Sequence, residues 1–321
     1  MKNAFFILSF FIIMFAGCSD DTEKLPFDPP RGYMNMTTLK IAYVLGMIEE
    51  IEMKFPVPED VVEVKDVVYS TVDSTDLHLD IYYPKKISKK QPLLLFIHGG
   101  GLSHGDKSDY LRYTCDFAQR GYVTATVQYL FVDKVKYPEQ VYEVISAVRW
   151  LKENADRFYI DTSKVALIGG SAGGLLAMMV GYSADTDVFE MGYDPISYNV
   201  EAVVDLYGPV DFTTPYARGH SLVKKMFGKT YEQAPEIYKE YSPLSFVSAE
   251  DPPTLVFQGT IDDLVPVSQS DTLAAKLKKA GVPVEYHRLK GWPHAMDIEA
   301  GVNEYCQFYM NRFFEKYIPK N

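Results

Sequence analysis

Cysteine is scarce: three residues in a chain of 321, too few to hold a fold together by a disulfide framework. Positive charge is short as well. Lys and Arg number 32 against 43 Asp and Glu, for a net charge of -11, and no stretch gathers the cations into a patch. Sequence-independent binding of nucleic acid needs such a patch, so nucleic acid is not expected as a partner. Metal-ligand spacing is missing too: His78, His220 and His287 form no ligand pattern with one another, and no His-Glu-x-x-His occurs. Gly228-Lys229-Thr230 matches the end of a phosphate-binding loop, but Val223 stands where its first glycine is required. Internal repeats and low-complexity segments are absent. The N-terminal apolar run Ala4 to Gly17 spans about 20 Å as a helix, short of a hydrocarbon core of about 30 Å.

What is present is an ordinary globular composition, 47% hydrophobic with 21 Gly and 19 Pro. The length suits one large α/β domain, with two small domains as the other option. Lys2 followed by the short apolar run reads as a secretory signal over residues 1–17. It ends in Phe15-Ala16-Gly17-Cys18, which resembles the lipobox of bacterial lipoproteins with Phe15 in place of the usual leucine. That resemblance implies lipidation at Cys18 and an exported, membrane-anchored protein, periplasmic or at the cell surface. Cleavage with an unmodified Cys18 is the alternative. Ser19-Asp20-Asp21 also resembles the export tag of surface-displayed lipoproteins in some Gram-negative bacteria.

Residues 18–60 carry Pro26, Pro29, Pro30, Pro56 and Pro58 and read as a tether and approach segment. Inside it Ile41, Leu45 and Ile48, flanked by Val44 and Ile51, recur at helical spacing, with Thr37 or Thr38 placed to cap the start. This helix is expected to pack on the main body, or to form part of a cap over a site. From residue 61 to the C-terminus strand-like runs alternate with amphipathic helices. Val61 to Val67 and Leu77 to Tyr83 read as an antiparallel opening pair. Leu93 to Ile97, Val123 to Val127, Val165 to Ile168, Ala202 to Leu206, Thr254 to Phe257 and Val284 to Leu289 follow. Helices Val141 to Asn154 and Ser268 to Ala280 are the clearest of those between them. Continuous apolar strands separated by helices predict an α/β fold with a mostly parallel, eight-stranded sheet covered on both faces. Residues 212–251 contain no convincing strand and read as a small helical insertion, rich in tyrosine at Tyr216, Tyr231, Tyr238 and Tyr241. Those tyrosines are placed either to stack sugars or to pack the insertion itself.

The densest chemical signal is Val165-Ala-Leu-Ile-Gly-Gly-Ser171-Ala-Gly-Gly-Leu. A strand breaks at Ser171 and continues as a helix without a spacer, flanked by Gly169 and Gly173 in the pattern Gly-x-Ser-x-Gly. Such a turn lifts a serine hydroxyl off the sheet edge and sets it at the positive end of the helix. By itself the pattern also fits a tight strand-to-helix turn whose glycines only allow close packing. A serine needs a base, and the base a group that orients it. Asp262 and Asp263 lie in the loop after the strand at Thr254, and His294 ends a Gly291-Trp292-Pro293 turn after the strand at Val284. Each emerges where a site centred on Ser171 would need it.

At these residues the chain resembles the α/β-hydrolase superfamily, and within it His-Gly-Gly-Gly esterases similar to bacterial feruloyl and acetyl-xylan esterase-like carbohydrate esterases. The shared segments are His98-Gly99-Gly100-Gly101, the Ser171 elbow, Gly259 to Pro266 and the turn ending at His294. Ala147 to Leu151 and Tyr207-Gly208-Pro209-Val210-Asp211 are also similar, and the resemblance covers roughly residue 62 to the C-terminus. It implies an α/β-hydrolase fold with Ser171 as nucleophile, His294 as base and Asp262, ahead of Asp263, as the orienting acid. Asp262 otherwise reads as a cap for the helix beginning near Val267. The resemblance further implies an oxyanion hole from the amides of Gly100, Gly101 and Ala172, with His98 bracing its loop. Two positions depart from the family pattern. Leu102 replaces a common tryptophan and is expected to reshape the leaving-group side. Gln258 stands where histidine is frequent and is expected to act structurally, without touching the triad. His104 reads as an exposed loop residue within possible reach of a substrate. In such a fold the helices carrying Cys115 and Cys306 share one face, which makes a bridge conceivable, although two separate thiols are expected.

The activity so implied is serine-dependent hydrolysis of carboxylic esters through an acyl-enzyme, on acetyl or hydroxycinnamoyl esters of carbohydrates, with no cofactor. The partners implied are a small-molecule or oligosaccharide ester and, through the anchor alone, a membrane. A dipeptidyl-peptidase-like serine peptidase and a catalytically silent glycan- or lipid-binding lipoprotein are the alternatives.

Overall fold

The computed structural model describes residues 27–189 and 195–321. The signal segment 1–17 and the lipidation candidate Cys18 lie outside the described residues. Among those described, eight strands form one sheet: β1 (Val61–Val72), β2 (Thr75–Pro84), β3 (Gln91–Ile97), β4 (Val123–Val127), β5 (Ile160–Gly170), β6 (Ala202–Leu206), β7 (Thr254–Gly259) and β8 (Val284–Leu289). The helices are α1 (Met36–Val44), α2 (Leu111–Gln119), α3 (Glu139–Glu153), α4 (Ala172–Ser183), α5 (Pro215–Gly219), α6 (Ser221–Phe227), α7 (Pro235–Glu240), α8 (Pro243–Phe246), α9 (Ser268–Ala280) and α10 (Ala300–Tyr317). All eight strands expected from the sequence are there, with β1 and β5 longer than their apolar runs.

Strand order is β1-β2-β4-β3-β5-β6-β7-β8, antiparallel at β1, β2 and β4 and parallel from β4 onward. Leu93, Leu95 and Ile97 of β3 face one apolar layer, packed with α3, α4 and α9, while Leu94 and Phe96 face another, packed with α2 and α10. Both faces being apolar explains why the central strands read as unbroken hydrophobic runs. After β3 the chain crosses outward to β4, then returns over the opposite face to β5. The loops following β3 and β5 therefore diverge, and a crevice opens between them at the carboxyl ends of the strands.

The opening hairpin turns on Asp73 and Ser74, both at positive φ, as a two-residue connection requires. Its bulge at Asp66 is tied to the crevice loops. Lys107 Nζ lies 2.7 Å from both Asp80 oxygens and 2.9 Å from Asp66 Oδ1. Hydrogen bonding and charge from Lys107 hold the Asp66 carboxyl below its ordinary range.

Residues 27–53 differ from the expected tether. Trp292 Nε1 donates to the Pro30 carbonyl and the Tyr33 amide to that of Gly291, while the amides of Ile51 and Ala300 donate to Ile298 and Glu49. The segment is a strap that grips the loop carrying His294 from both sides. α1 lies between the two grips and is capped by Asn35, whose side chain accepts the Thr38 amide while its backbone amide donates to the Thr38 hydroxyl. Its apolar stripe is not buried, since Ile41, Val44 and Leu45 are exposed and only Ala42 is covered. The main body offers this stretch backbone pairing on either side of the helix, so docking occurs there and the helix stands off. Cys115 and Cys306 are free and buried in different packing clusters, with no bridge between them.

Candidate active site

Ser171 sits between β5 and α4 with φ 55 and ψ -118, a conformation that L residues seldom hold. Close packing enforces it. A side chain at Gly169 would meet the Gly173 backbone at 2.2 Å, and one at Gly173 would meet the Ile97 carbonyl at 1.9 Å. The Ser171 amide is anchored to the Leu206 carbonyl at 2.8 Å. Its Oγ lies 2.8 Å from His294 Nε2, and His294 Nδ1 lies 2.7 Å from Asp262 Oδ2. Residues 123 and 32 positions apart are thus joined in one chain of hydrogen bonds.

Asp262 has no exposed side-chain surface. Its Oδ1 accepts the amides of Leu264 and Val265 at 2.9 and 2.8 Å, and its Oδ2 accepts Gln258 Nε2 at 2.9 Å. The carboxylate caps its own turn rather than α9. Asp263, by contrast, is exposed. Gln258 is a correction to the sequence reading, because it binds the carboxylate that holds His294 and is itself fixed by Ser270 Oγ at 2.9 Å. An amide at this point donates one bond to Asp262 while accepting another. The sequence marked the position as unusual without revealing that its side chain turns toward the acid.

Gly100 and Gly101 have φ 93 and 59, and a side chain on Gly100 would stand 2.0 Å from the His104 carbonyl. Among the described residues, the amides of Gly100, Gly101 and Ala172 donate to no protein acceptor. They are free to serve an oxygen developing negative charge, as expected of an oxyanion hole. His98 lies behind them, stacked at 4.2 Å on Tyr129, whose hydroxyl donates to the carbonyls of His98 and Gly99 at 2.8 and 2.9 Å. Burial pushes the His98 imidazole below its ordinary value, which suits a neutral brace. His104 is exposed at the rim.

Ser171 opens into a cavity of about 520 Å³, within the usual range for small-molecule sites. The lining divides into two sets, one from each apolar layer of the sheet, and each set marks one lobe of the cavity. One lies over the α3 and α4 face and is apolar, walled by Leu102, Leu175, Phe212, Val223 and Met226. Leu102 closes this lobe at φ 54 and is fully buried. The other lies over the α2 and α10 face, walled by Tyr110, Tyr113, Tyr207 and Asp297. Tyr113 donates to Asp297 Oδ2 at 3.1 Å, and Tyr207 donates to Oδ1. Burial pushes the Asp297 carboxyl up, while the two hydroxyls hold it down. None of these four was singled out for chemistry from sequence, since the Tyr110–Tyr113 stretch, Tyr207 and Asp297 lie far apart along the chain and share no spacing signal. Ile51 and Met53 of the strap also line the cavity, whereas no residue of α1 does, so the cap role falls to the segment after the helix. The insertion forms α5 to α8, and of its four tyrosines only Tyr216 reaches the cavity. Tyr231 stacks under Arg218, while Tyr238 and Tyr241 pack on Phe227. No described cluster of His, Cys, Asp or Glu has the grouping to hold a metal ion.

Sheet order, elbow and hydrogen-bonded Ser-His-Asp together define an α/β-hydrolase fold with the constellation of a serine hydrolase. The BD-FAE family model matches residues 79–277, more than half of the chain, and the chain belongs to that family. Among curated proteins it is similar to esterase LipC of Mycobacterium tuberculosis, 28% identical over 232 residues, covering 70% of this chain and 58% of the relative. The chain spans little more than half the length of that protein and of two further mycobacterial relatives, at 58%, 53% and 52%. Among solved structures, a thermophilic esterase of Thermogutta terrifontis superposes with TM-score 0.69 at 25% identity, covering 85% of this chain and 96% of that one. A truncated carbohydrate esterase from gut microbiota superposes with TM-score 0.68 at 22% identity, covering 81% and 99%, a likeness of fold.

Proposed function

We propose that this protein is a serine-dependent carboxylic-ester hydrolase, acting on acetyl or hydroxycinnamoyl esters of carbohydrates. The observation that carries the reading is the bond from Ser171 Oγ to His294 Nε2 at 2.8 Å, at the floor of a cavity and beside three uncommitted amides. His294 accepts the serine proton as Oγ attacks the ester carbon. Asp262 keeps the imidazole in the tautomer with Nδ1 protonated and stabilises the imidazolium without taking the proton. The carbonyl oxygen, now negative, is met by the amides of Gly100, Gly101 and Ala172. As the tetrahedral adduct collapses, His294 returns its proton to the departing alcohol and leaves the acyl group on Ser171. Water, deprotonated by the same imidazole, then hydrolyses the acyl-enzyme. The names of the similar proteins support the esterase class, and the His-Gly-Gly-Gly resemblance supports the carbohydrate substrate. The lipobox-like segment ending at Cys18 supports export and anchoring.

The test is release of p-nitrophenol from p-nitrophenyl acetate, compared with cleavage of aminoacyl anilides and with release of acetate and ferulate from substituted xylan oligomers. Ester turnover without anilide cleavage is expected. Anilide cleavage with inert esters would make the protein a peptidase, and no turnover of any substrate would leave a binding protein.

A further inference from the structure

In the lobe over the α2 and α10 face, three phenol hydroxyls stand near the nucleophile and only one of them is uncommitted. Tyr207 and Tyr113 both spend their protons on Asp297. Tyr110 lines the cavity at 7% exposure, yet its hydroxyl makes no hydrogen bond to any described residue. The hydroxyl is not sealed in the interior: it opens to the cavity, with its hydrogen-bonding capacity available to a molecule bound there. Its position is close to the reacting atoms. A side chain built on Gly170, the residue before Ser171, would meet the Tyr110 hydroxyl at 2.5 Å and that of Tyr207 at 3.0 Å. The variable position of the Gly-x-Ser-x-Gly pattern is therefore glycine here because two hydroxyls converge on it.

The mechanism assigns this lobe to one half of an ester. His294 must hand its proton to the departing oxygen, so the alcohol leaves along the imidazole. The Tyr207 ring stands 4.7 Å from the imidazole ring, and Asp297 follows it three residues later. Both wall the same side of the cavity as Tyr110, and the apolar lobe remains for the acyl group, so Leu102, expected from sequence on the leaving-group side, falls on the acyl side in this assignment. We propose that Tyr110 makes this lobe a subsite for an alcohol bearing a second hydroxyl beside the ester, as in a monoester of a vicinal diol. The inference rests on the hydrolase reading and narrows its substrate to esters whose alcohol half has an adjacent oxygen. Tyr110 gives or takes a hydrogen bond with that neighbouring hydroxyl. The Asp297 carboxyl takes the hydroxyl protons of the two remaining phenols, so neither has a proton left to donate to Tyr110. Burial raises the Tyr110 phenol well above its ordinary value, so it stays protonated and able to donate.

The experiment compares two ester pairs of matched size on the full chain. In the first, 2-hydroxyethyl acetate and propyl acetate differ by a hydroxyl on the alcohol. In the second, methyl 3-hydroxypropanoate and methyl butanoate differ by a hydroxyl on the acyl group. The wild type is expected to favour 2-hydroxyethyl acetate about tenfold in kcat/KM, the worth of about one neutral hydrogen bond, with no such preference in the second pair. Tyr110→Phe keeps every protein contact of the ring and loses no protein hydrogen bond, so the fold should persist, and the first ratio should fall to about one. A wild-type ratio near one, a preference confined to the acyl pair, or a ratio unchanged in Tyr110→Phe would overturn the subsite while leaving the hydrolase intact. Failure to turn over any of the four esters would overturn the hydrolase reading and the subsite with it.

Discussion

Replacing Ser171 by alanine lowers kcat on p-nitrophenyl acetate about 10⁶-fold, the loss measured for the corresponding change in another serine hydrolase. The size follows from what the hydroxyl does. Its Oγ is the atom that becomes bonded to the acyl group, and among the described residues no other side chain hydrogen-bonds to His294 Nε2. What remains after the change is the contribution of the free amides at Gly100, Gly101 and Ala172 together with binding in the cavity. Alanine fits the elbow at φ 55 no worse than serine does, and the close contacts that enforce it belong to Gly169 and Gly173. The variant should therefore melt like the wild type, which separates loss of chemistry from loss of fold. A drop of only a few-fold, with folding intact, would mean that turnover does not pass through this hydroxyl.

Asp262→Asn lowers kcat about 10⁴-fold, while Asp263→Asn leaves it near wild type. Two adjacent aspartates make a discriminating pair, because one is enclosed and the other faces solvent. Asparagine at 262 keeps the shape of the turn but places an amide among groups that all donate: Gln258 Nε2, the amides of Leu264 and Val265, and His294 Nδ1. Either a backbone amide loses its acceptor or the imidazole is forced into the tautomer with Nε2 protonated. In that tautomer it cannot take the Ser171 proton. Steady-state kinetics on both variants reads the difference directly. Equal losses would point to a general effect of removing charge from the loop.

The sheet was legible because its central strands are buried on both faces, so their apolar runs stand out from amphipathic helices. The elbow was legible because steric demands on Gly169 and Gly173 leave a fixed spelling around Ser171. Asp262 and His294 were found by their place after β7 and β8, a consequence of topology that the chain order preserves. Gln258 was misread because its contact with Asp262 depends on a side chain turning back from the last residues of β7. The lobe of Tyr110, Tyr113, Tyr207 and Asp297 draws on three separate stretches that meet only once the sheet is folded. α1 shows the opposite failure. Its spacing is helical and its apolar stripe genuine, yet periodicity does not say what a stripe packs against, and here it is exposed.

Incubation of the full chain with diethyl p-nitrophenyl phosphate, followed by intact-mass analysis and peptide mapping, tests the central claim most directly. A single diethylphosphoryl group per chain is predicted, carried on Ser171, with ester turnover falling in proportion to its incorporation. Label found on another residue, or turnover that persists once Ser171 is fully occupied, would contradict the account.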